Sequence, residues 1–269
     1  MRIAFTKMNG AGNDFVLIDN RSQFLQLNRE QVRCLCNRQR GVGADGLLIL
    51  EPNPKGTADW SWQFFNSDGG TGDMCGNGAR CFAAFIRHLT GHTSPITFET
   101  LAGIIQASFA DNLVTVTLTP PEQLQLDQSL ELNGTTLTAH SLNTGVPHAV
   151  VFVEDADEAM VLERGRAIRR HQHFGPAGTN VNFVEVVQPD QIRVRTYERG
   201  VEGETLACGT GVSAAAMIAS HLKRILPPVA VKVQGGDILT VDFKATESGF
   251  EDVRLTGPAE IVFTGEIEV

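Results

Sequence analysis

With 269 residues, 42% of them hydrophobic, the chain is long enough to bury one large core or two modest ones. A net charge of -9 without a basic block speaks against nucleic acid or an anionic membrane as partner. No apolar run reaches the roughly 18 residues of a membrane span, and the N-terminal residues lack the apolar stretch of a signal peptide, so the expected location is the cytoplasm.

In chain order, a strand-like N-terminus runs into the turn Gly10-Ala11-Gly12, followed by Asn13-Asp14 and the strand-like FVLID. A helix is expected over about residues 28–38, with Cys34 and Cys36 as small, partly buried positions. Asn66-Ser67-Asp68-Gly69 has turn composition and leads to Cys75-Gly76-Asn77-Gly78, after which an Ala-rich helix is expected over 79–89. VTVTLT at 114–119 alternates as a strand does, and Pro120-Pro121 marks the break between halves. In the second half His148 follows Pro147 at a turn, and a helix is expected near 157–171. Strands are expected at 192–198 and 229–234. Cys208-Gly209-Thr210-Gly211 precedes a helix over 212–222 that is apolar nearly all round and therefore buried. The closing AEIVFTGEIEV reads as a strand returning to the first domain.

The halves repeat. At an offset of 133 (208 minus 75), Cys75-Gly76-Asn77-Gly78 falls on Cys208-Gly209-Thr210-Gly211. At the same offset Gly12 falls on Gly145, Phe64 on Tyr197, His88 on His221, Pro95 on Pro228 and Gly103 on Gly236. One constant offset through a turn, a motif, a helix and a strand predicts two similar domains. The expected fold is α/β (α+β), with two pseudo-twofold-related domains, each a mostly antiparallel, barrel-like sheet around a central helix. The expected division gives 1–119 plus 258–269 to the domain of Cys75 and 120–257 to that of Cys208. The ligand site is expected in a cleft between them.

A cysteine just before a helix meets N–H groups that have no partner inside the helix, at the positive end of the macrodipole. A thiolate is favoured there, and the same amides can bind a carboxylate. Two such thiols facing one α-carbon would let one remove a proton while the other returns one from the opposite side, with the amides stabilising the intermediate charge. No cofactor is required. The rival readings are a redox disulfide between the two cysteines and a metal site. Neither Cys34-x-Cys36 nor Cys75-x5-Cys81 has the usual zinc spacing.

KMNGAGNDFVLID, FNSDGGTGDMCGNGARC, YERGVEGETLACGTGVSAAA and GPAEIVFTGEIEV resemble diaminopimelate epimerases, and the resemblance runs from Lys7 to the C-terminus. It implies a pair of α/β domains and interconversion of LL- and meso-diaminopimelate without pyridoxal phosphate, on the route to lysine and peptidoglycan. It also implies that Cys75 and Cys208 are the catalytic bases, with His148 and Glu198 modulating them. The implied substrate contacts are Asn13, Asn66, Gly76, Asn77, Asn180, Glu198, Arg199, Gly209 and Thr210. The family is dimeric, which implies a homodimer with Phe263, in place of a tyrosine, at the interface. The sequence departs from many members at Val146, where they carry a substrate-binding asparagine, and at Gly46, where some carry glutamine. ERGVEGET is one residue longer than the commoner form.

Overall fold

Short strands rich in β-branched and aromatic residues dominate the chain, and helices fall where strand periodicity gives way to Ala-rich runs. The computed structural model describes residues 1–132, 134–247 and 249–269. The first stretch holds β1 (Arg2–Gly10), β2 (Asn13–Asp19), α1 (Arg29–Cys36), β3 (Gly46–Pro52), β4 (Trp60–Asn66), α2 (Gly76–Thr90), β5 (Ile96–Thr100), β6 (Gly103–Ala110) and β7 (Leu113–Thr117). Next come β8 (Glu122–Leu132), β9 (Thr135–Asn143), β10 (Pro147–Phe152), α3 (Val161–Arg169), β11 (Asn180–Gln188) and β12 (Gln191–Glu198). The chain ends with β13 (Gly203–Thr205), α4 (Gly209–His221), β14 (Val229–Lys232), β15 (Ile238–Thr246), β16 (Gly249–Pro258) and β17 (Glu260–Glu268).

The chain divides into two compact units, Met1–Thr117 with Gly257–Val269, and Leu118–Thr256. In the first unit β17, β1, β2, β3, β4, β5, β6 and β7 lie side by side in that order. The pairs β2–β3 and β4–β5 are parallel, and the rest are antiparallel. In the second unit the order is β8, β9, β10, β11, β12, β14, β15 and β16, with β10–β11 and β12–β14 parallel. Parallel neighbours need a crossover, which α1 and α2 supply in the first unit and α3 and α4 in the second. The two topologies therefore agree strand for strand, except that the first unit draws its outermost strand, β17, from the C-terminus. The short β13 adds a hairpin partner to β12.

The central strands of each unit are buried on both faces, which explains unbroken apolar runs such as VLI in β2 and AVV in β10. Val16, Ile18, Leu47 and Ile49 share one core with Val32 and Leu35 of α1. Phe15 faces the other way, towards Gly78 of α2. In the second unit Ala149, Val151, Val181 and Phe183 join Val161 and Ile168 of α3. Strand alternation then turns His148, Asn180 and Asn182 to the opposite face. On that face α4 packs against β9, β10, β11, β12, β14 and β15. Gly76–Ile86 of α2 and Gly209–Ala219 of α4 are buried throughout. An aromatic group of Trp62, Phe82 and Phe98 fixes α2 to its sheet, with ring centroids 5.0 Å apart between Phe82 and Phe98 and 5.6 Å between Trp62 and Phe82.

Both of these helices begin earlier than their apolar periodicity suggests, at Gly76 and Gly209 rather than at 79 and 212. The glycines, poor helix formers in an interior, are tolerated in the first turn, where the flanking cysteine takes the cap position.

Candidate active site

In the first unit Cys75 is the N-cap of α2, in extended backbone, and its sulfur accepts the Gly78 N–H at 3.4 Å. Cys75 Sγ also lies 3.5 Å from Asn13 Oδ1, as donor to that oxygen. The Asn13 side chain is fixed from behind. Its Nδ2 donates to Asp45 Oδ2 at 2.7 Å, and the Asp14 amide donates to the same oxygen at 3.3 Å. Arg38 bridges Asp45 at 2.8 Å and grips Asp14 with two bonds of 2.8 and 2.9 Å. Lys7, buried, pairs with Asp14 at 2.7 Å and donates to the Gly43 carbonyl. Burial pushes the Asp14 carboxyl up, but hydrogen bonds from Arg38 and Lys7 outweigh it and bring it down to about 2.

Asn77 Nδ2 donates to Asn13 Oδ1 at 3.4 Å, while Asn77 Oδ1 accepts from the buried Arg80 at 3.0 Å. Asn66 ends β4 opposite Gly46, and the following Ser67 amide donates to the Asp45 carbonyl at 3.0 Å, so this turn adjoins Asp45. Gly46 has no room for a side chain: a Cβ there would lie 2.8 Å from the Phe65 carbonyl oxygen and 3.0 Å from the Phe64 ring.

In the second unit Cys208 is the N-cap of α4, 8% exposed, with Sγ 3.5 Å from Thr210 Oγ1. Thr210 Oγ1 lies 2.9 Å from His148 Nε2, and the Thr210 carbonyl accepts from Thr144 at 3.1 Å. His148 is fully buried, and burial, reinforced by the Arg199 cation, lowers its pKa to about 3, so the imidazole is neutral. Its Nδ1 faces Asn182 Nδ2 at 3.2 Å. Asn182 donates through the same nitrogen to the Ala149 carbonyl at 3.0 Å and accepts from Thr196 at 2.9 Å. Asn180, on the same strand face, accepts the Arg199 amide N–H at 2.8 Å and donates to the Pro147 carbonyl at 3.2 Å. Glu198 ends β12 half-buried beside it. Val146, in the tight turn before β10, contributes its carbonyl to the Thr144 amide at 3.1 Å.

Asn13 and Asn77 thus lie at the helix start of Cys75, and Thr210, with His148 behind it, at that of Cys208, while Asn66, Asn180, Glu198 and Arg199 stand in the adjoining turns and strand ends. Phe263 belongs to neither set. It lies on β17, 47% exposed, with an edge contact to Phe5 at 5.9 Å. The sequence reading did not single out Asp45, Asn182 or Arg80. Asn182 carries a usable signal, since it stands two residues from Asn180 on a strand and so shares its face. None of Cys34, Cys36, Cys75, Cys81 and Cys208 is joined in a disulfide. Burial raises Cys36 and Cys81 to about 12, which leaves them inert, and Cys34 is exposed.

The family model for diaminopimelate epimerase matches residues 5–124 and 140–262. The diaminopimelate epimerase of Aquifex aeolicus (strain VF5) is 45% identical over 277 aligned positions, covering 98% of this chain and 97% of that protein. The chain belongs to the diaminopimelate epimerase family. A second diaminopimelate epimerase, from Chlorobaculum tepidum, is 41% identical over 265 positions, covering 97% of this chain and 99% of its own. Among solved structures, a phenazine biosynthesis protein of the PhzF family from Bacillus anthracis has a TM-score of 0.76 at 17% identity, covering all of both chains. A hydroxyproline epimerase from Agrobacterium vitis, crystallised with trans-4-hydroxy-L-proline, has a TM-score of 0.74 at 17% identity, covering 99% of this chain and 92% of that one. These likenesses show that the chain shares its fold with both structures.

Proposed function

We propose that the chain converts LL-diaminopimelate to meso-diaminopimelate by moving protons between the α-carbon and two sulfurs, Cys75 and Cys208. Membership of the diaminopimelate epimerase family supports the substrate. The observation that carries the chemistry is that each cysteine caps the start of a buried helix, with its sulfur among polar groups. Inversion needs one sulfur on each side of the α-carbon. A thiolate takes the α-proton, the electron pair delocalises onto the α-carboxylate, and the opposite thiol delivers its proton to the other face. The thiolate and thiol have then exchanged roles, and no net charge has moved to solvent.

The N–H groups opening α2 and α4, at Gly76, Asn77, Gly209 and Thr210, are suited to hold the α-carboxylate as its charge grows. Asn13, Asn66, Asn180, Glu198 and Arg199 are assigned to the remaining polar groups of the substrate. With that stabilisation built into the chain, the mechanism calls for no electron-sink cofactor. Gly46 offers no side chain to the distal substrate end, so that end must be held by these residues instead.

Incubation with LL-diaminopimelate in deuterium oxide tests the proposal. The expected result is meso product with deuterium at the inverted α-carbon. Exchange of trans-4-hydroxy-L-proline with none of diaminopimelate would refute the substrate assignment. We also propose a homodimer joined through β17, where Ile261, Val262 and Phe263 stand exposed in succession.

A further inference from the structure

The two helix starts descend from one pattern, yet their hydrogen-bond wiring has opposite polarity. At the 133-residue offset Asn13 corresponds to Val146, Phe15 to His148, and Asn77 to Thr210. Where the first unit has an amide, the second has an aliphatic side chain; where the first has a phenyl ring, the second has an imidazole.

The wiring behind each sulfur is fixed several residues deep. In the first unit Asp45, held by Arg38, accepts from Asn13 Nδ2. Turning the amide over would bring its oxygen against the carboxylate, so Asn13 Oδ1 is obliged to face Cys75. A lone pair aimed at sulfur stabilises S–H and repels S⁻. In the second unit Asn182 is fixed by its bonds to the Ala149 carbonyl and the Thr196 hydroxyl, so it offers an N–H to His148 Nδ1. The neutral imidazole then carries its proton on Nε2 and donates to Thr210 Oγ1. With its lone pair so engaged, the Thr210 hydroxyl directs its own hydrogen to Cys208. A donor aimed at sulfur stabilises S⁻.

We propose that in the substrate-free enzyme Asp45, acting through Asn13, holds Cys75 as the proton-bearing thiol, while Asn182 and His148, acting through Thr210, hold Cys208 as the thiolate. This rests on the two-thiol reading above and adds to it the direction in which the resting enzyme is charged. Asp45, Asn182 and His148 are positioning residues; Asn13 and Thr210 are the side chains they direct at Cys75 and Cys208.

Asp14, Asp45, Lys7, Arg38 and Arg80 lie on the elements around Cys75, and the two carboxylates are matched by Lys7 and Arg38. Arg80 and the Gly78 amide favour a Cys75 thiolate and oppose the effect of Asn13. On the Cys208 side stand neutral His148, whose protonation the Arg199 cation disfavours, and at the end of β12 the oppositely charged Glu198 and Arg199 are adjacent in the chain.

The test titrates thiolate ultraviolet absorbance in Cys75→Ser and Cys208→Ser, with the double variant as blank, so that Cys34, Cys36 and Cys81 cancel. Cys208, observed in Cys75→Ser, should ionise about one pH unit or more below Cys75, observed in Cys208→Ser, a tenfold difference in acidity. Thr210→Val in the Cys75→Ser background should raise the Cys208 titration, and Thr210→Ser should restore it. Asp45→Asn in the Cys208→Ser background frees the Asn13 amide to turn its N–H to sulfur and should lower the Cys75 titration. A merely structural loss would not move the two sulfurs in opposite directions. Cys75 ionising at or below the pH of Cys208, or Thr210→Val and Asp45→Asn leaving both titrations unmoved, would overturn the assignment. The two-thiol reading fails separately: if both serine variants still epimerise diaminopimelate, that reading falls whatever the titrations show.

Discussion

His148 is a histidine the fold keeps from acting as one. Its ordinary pKa of 6.5 falls to about 3 because the ring is fully buried, with Arg199 adding to the effect. The unfolded chain binds a proton here as pH drops through 6.5, and the native state does not until about 3, so this residue removes stability progressively across that window. Thermal midpoints measured between these limits should fall more steeply for the native sequence than for His148→Gln. Equal slopes would mean the imidazole is protonated in the fold. Asp14 has the opposite role in a lower window: its carboxyl, held near 2 rather than 3.8, contributes stability that is lost only as pH falls below 3.8.

Gly46 is decided by space. Gly46→Gln would drive a Cβ against the Phe65 carbonyl at 2.8 Å, and the expected cost is about 1–3 kcal/mol, read as a lower thermal midpoint. Residue identity marks the two cysteines because each sits in a Cys-Gly-x-Gly frame. It does not mark Asp45, whose Ala-Asp-Gly setting reads as a turn and whose partner Asn13 lies 32 positions away. Side-chain pairing across strands leaves no local trace in a sequence.

At the scale of elements, α2 and α4 differ in what their third residue meets. A Cβ on Gly78 would reach only ordinary contact, 3.4 Å from Phe15 and from the Cys75 Cβ. A Cβ on Gly211 would lie 2.3 Å from Asn182 Oδ1. Gly78→Ala should therefore fold with little change in stability, helped by roughly 1 kcal/mol of helix propensity. Gly211→Ala must displace Asn182, and with it the His148–Thr210 chain, so turnover should fall at least tenfold more than in Gly78→Ala; similar turnover in the two would show that this chain does not matter. Helix α1 carries a capping box, Asn28 with Gln31, and Asn28→Ala should cost about 1 kcal/mol without affecting catalysis. The helix positions are legible in the sequence from apolar periodicity, which alone would start them at 79 and 212; it is the Cys-Gly-x-Gly frame that marks each cysteine as the residue before the helix.

For the whole molecule, the duplication read at one offset corresponds to two units with the same strand order and the same parallel steps. A repeat in sequence is visible because glycines and prolines fix turns that both halves need. What the repeat hides is the divergence of function between the halves, which lies in a few side chains on equivalent strand faces. The proposed homodimer predicts that Val262→Glu, which places a charge on the exposed β17 stretch, yields a monomer by sedimentation, while a monomeric native protein would refute it.

The central claim, one base on each face of the α-carbon, is tested most directly by α-proton exchange in the two serine variants. Cys75→Ser and Cys208→Ser should each lose epimerisation. In deuterium oxide each should retain exchange, or elimination from a β-substituted analogue, with one substrate stereoisomer only, and the favoured stereoisomer should differ between them. Epimerisation by either variant at the native rate, or equal loss of every half-reaction with both stereoisomers, would contradict the account.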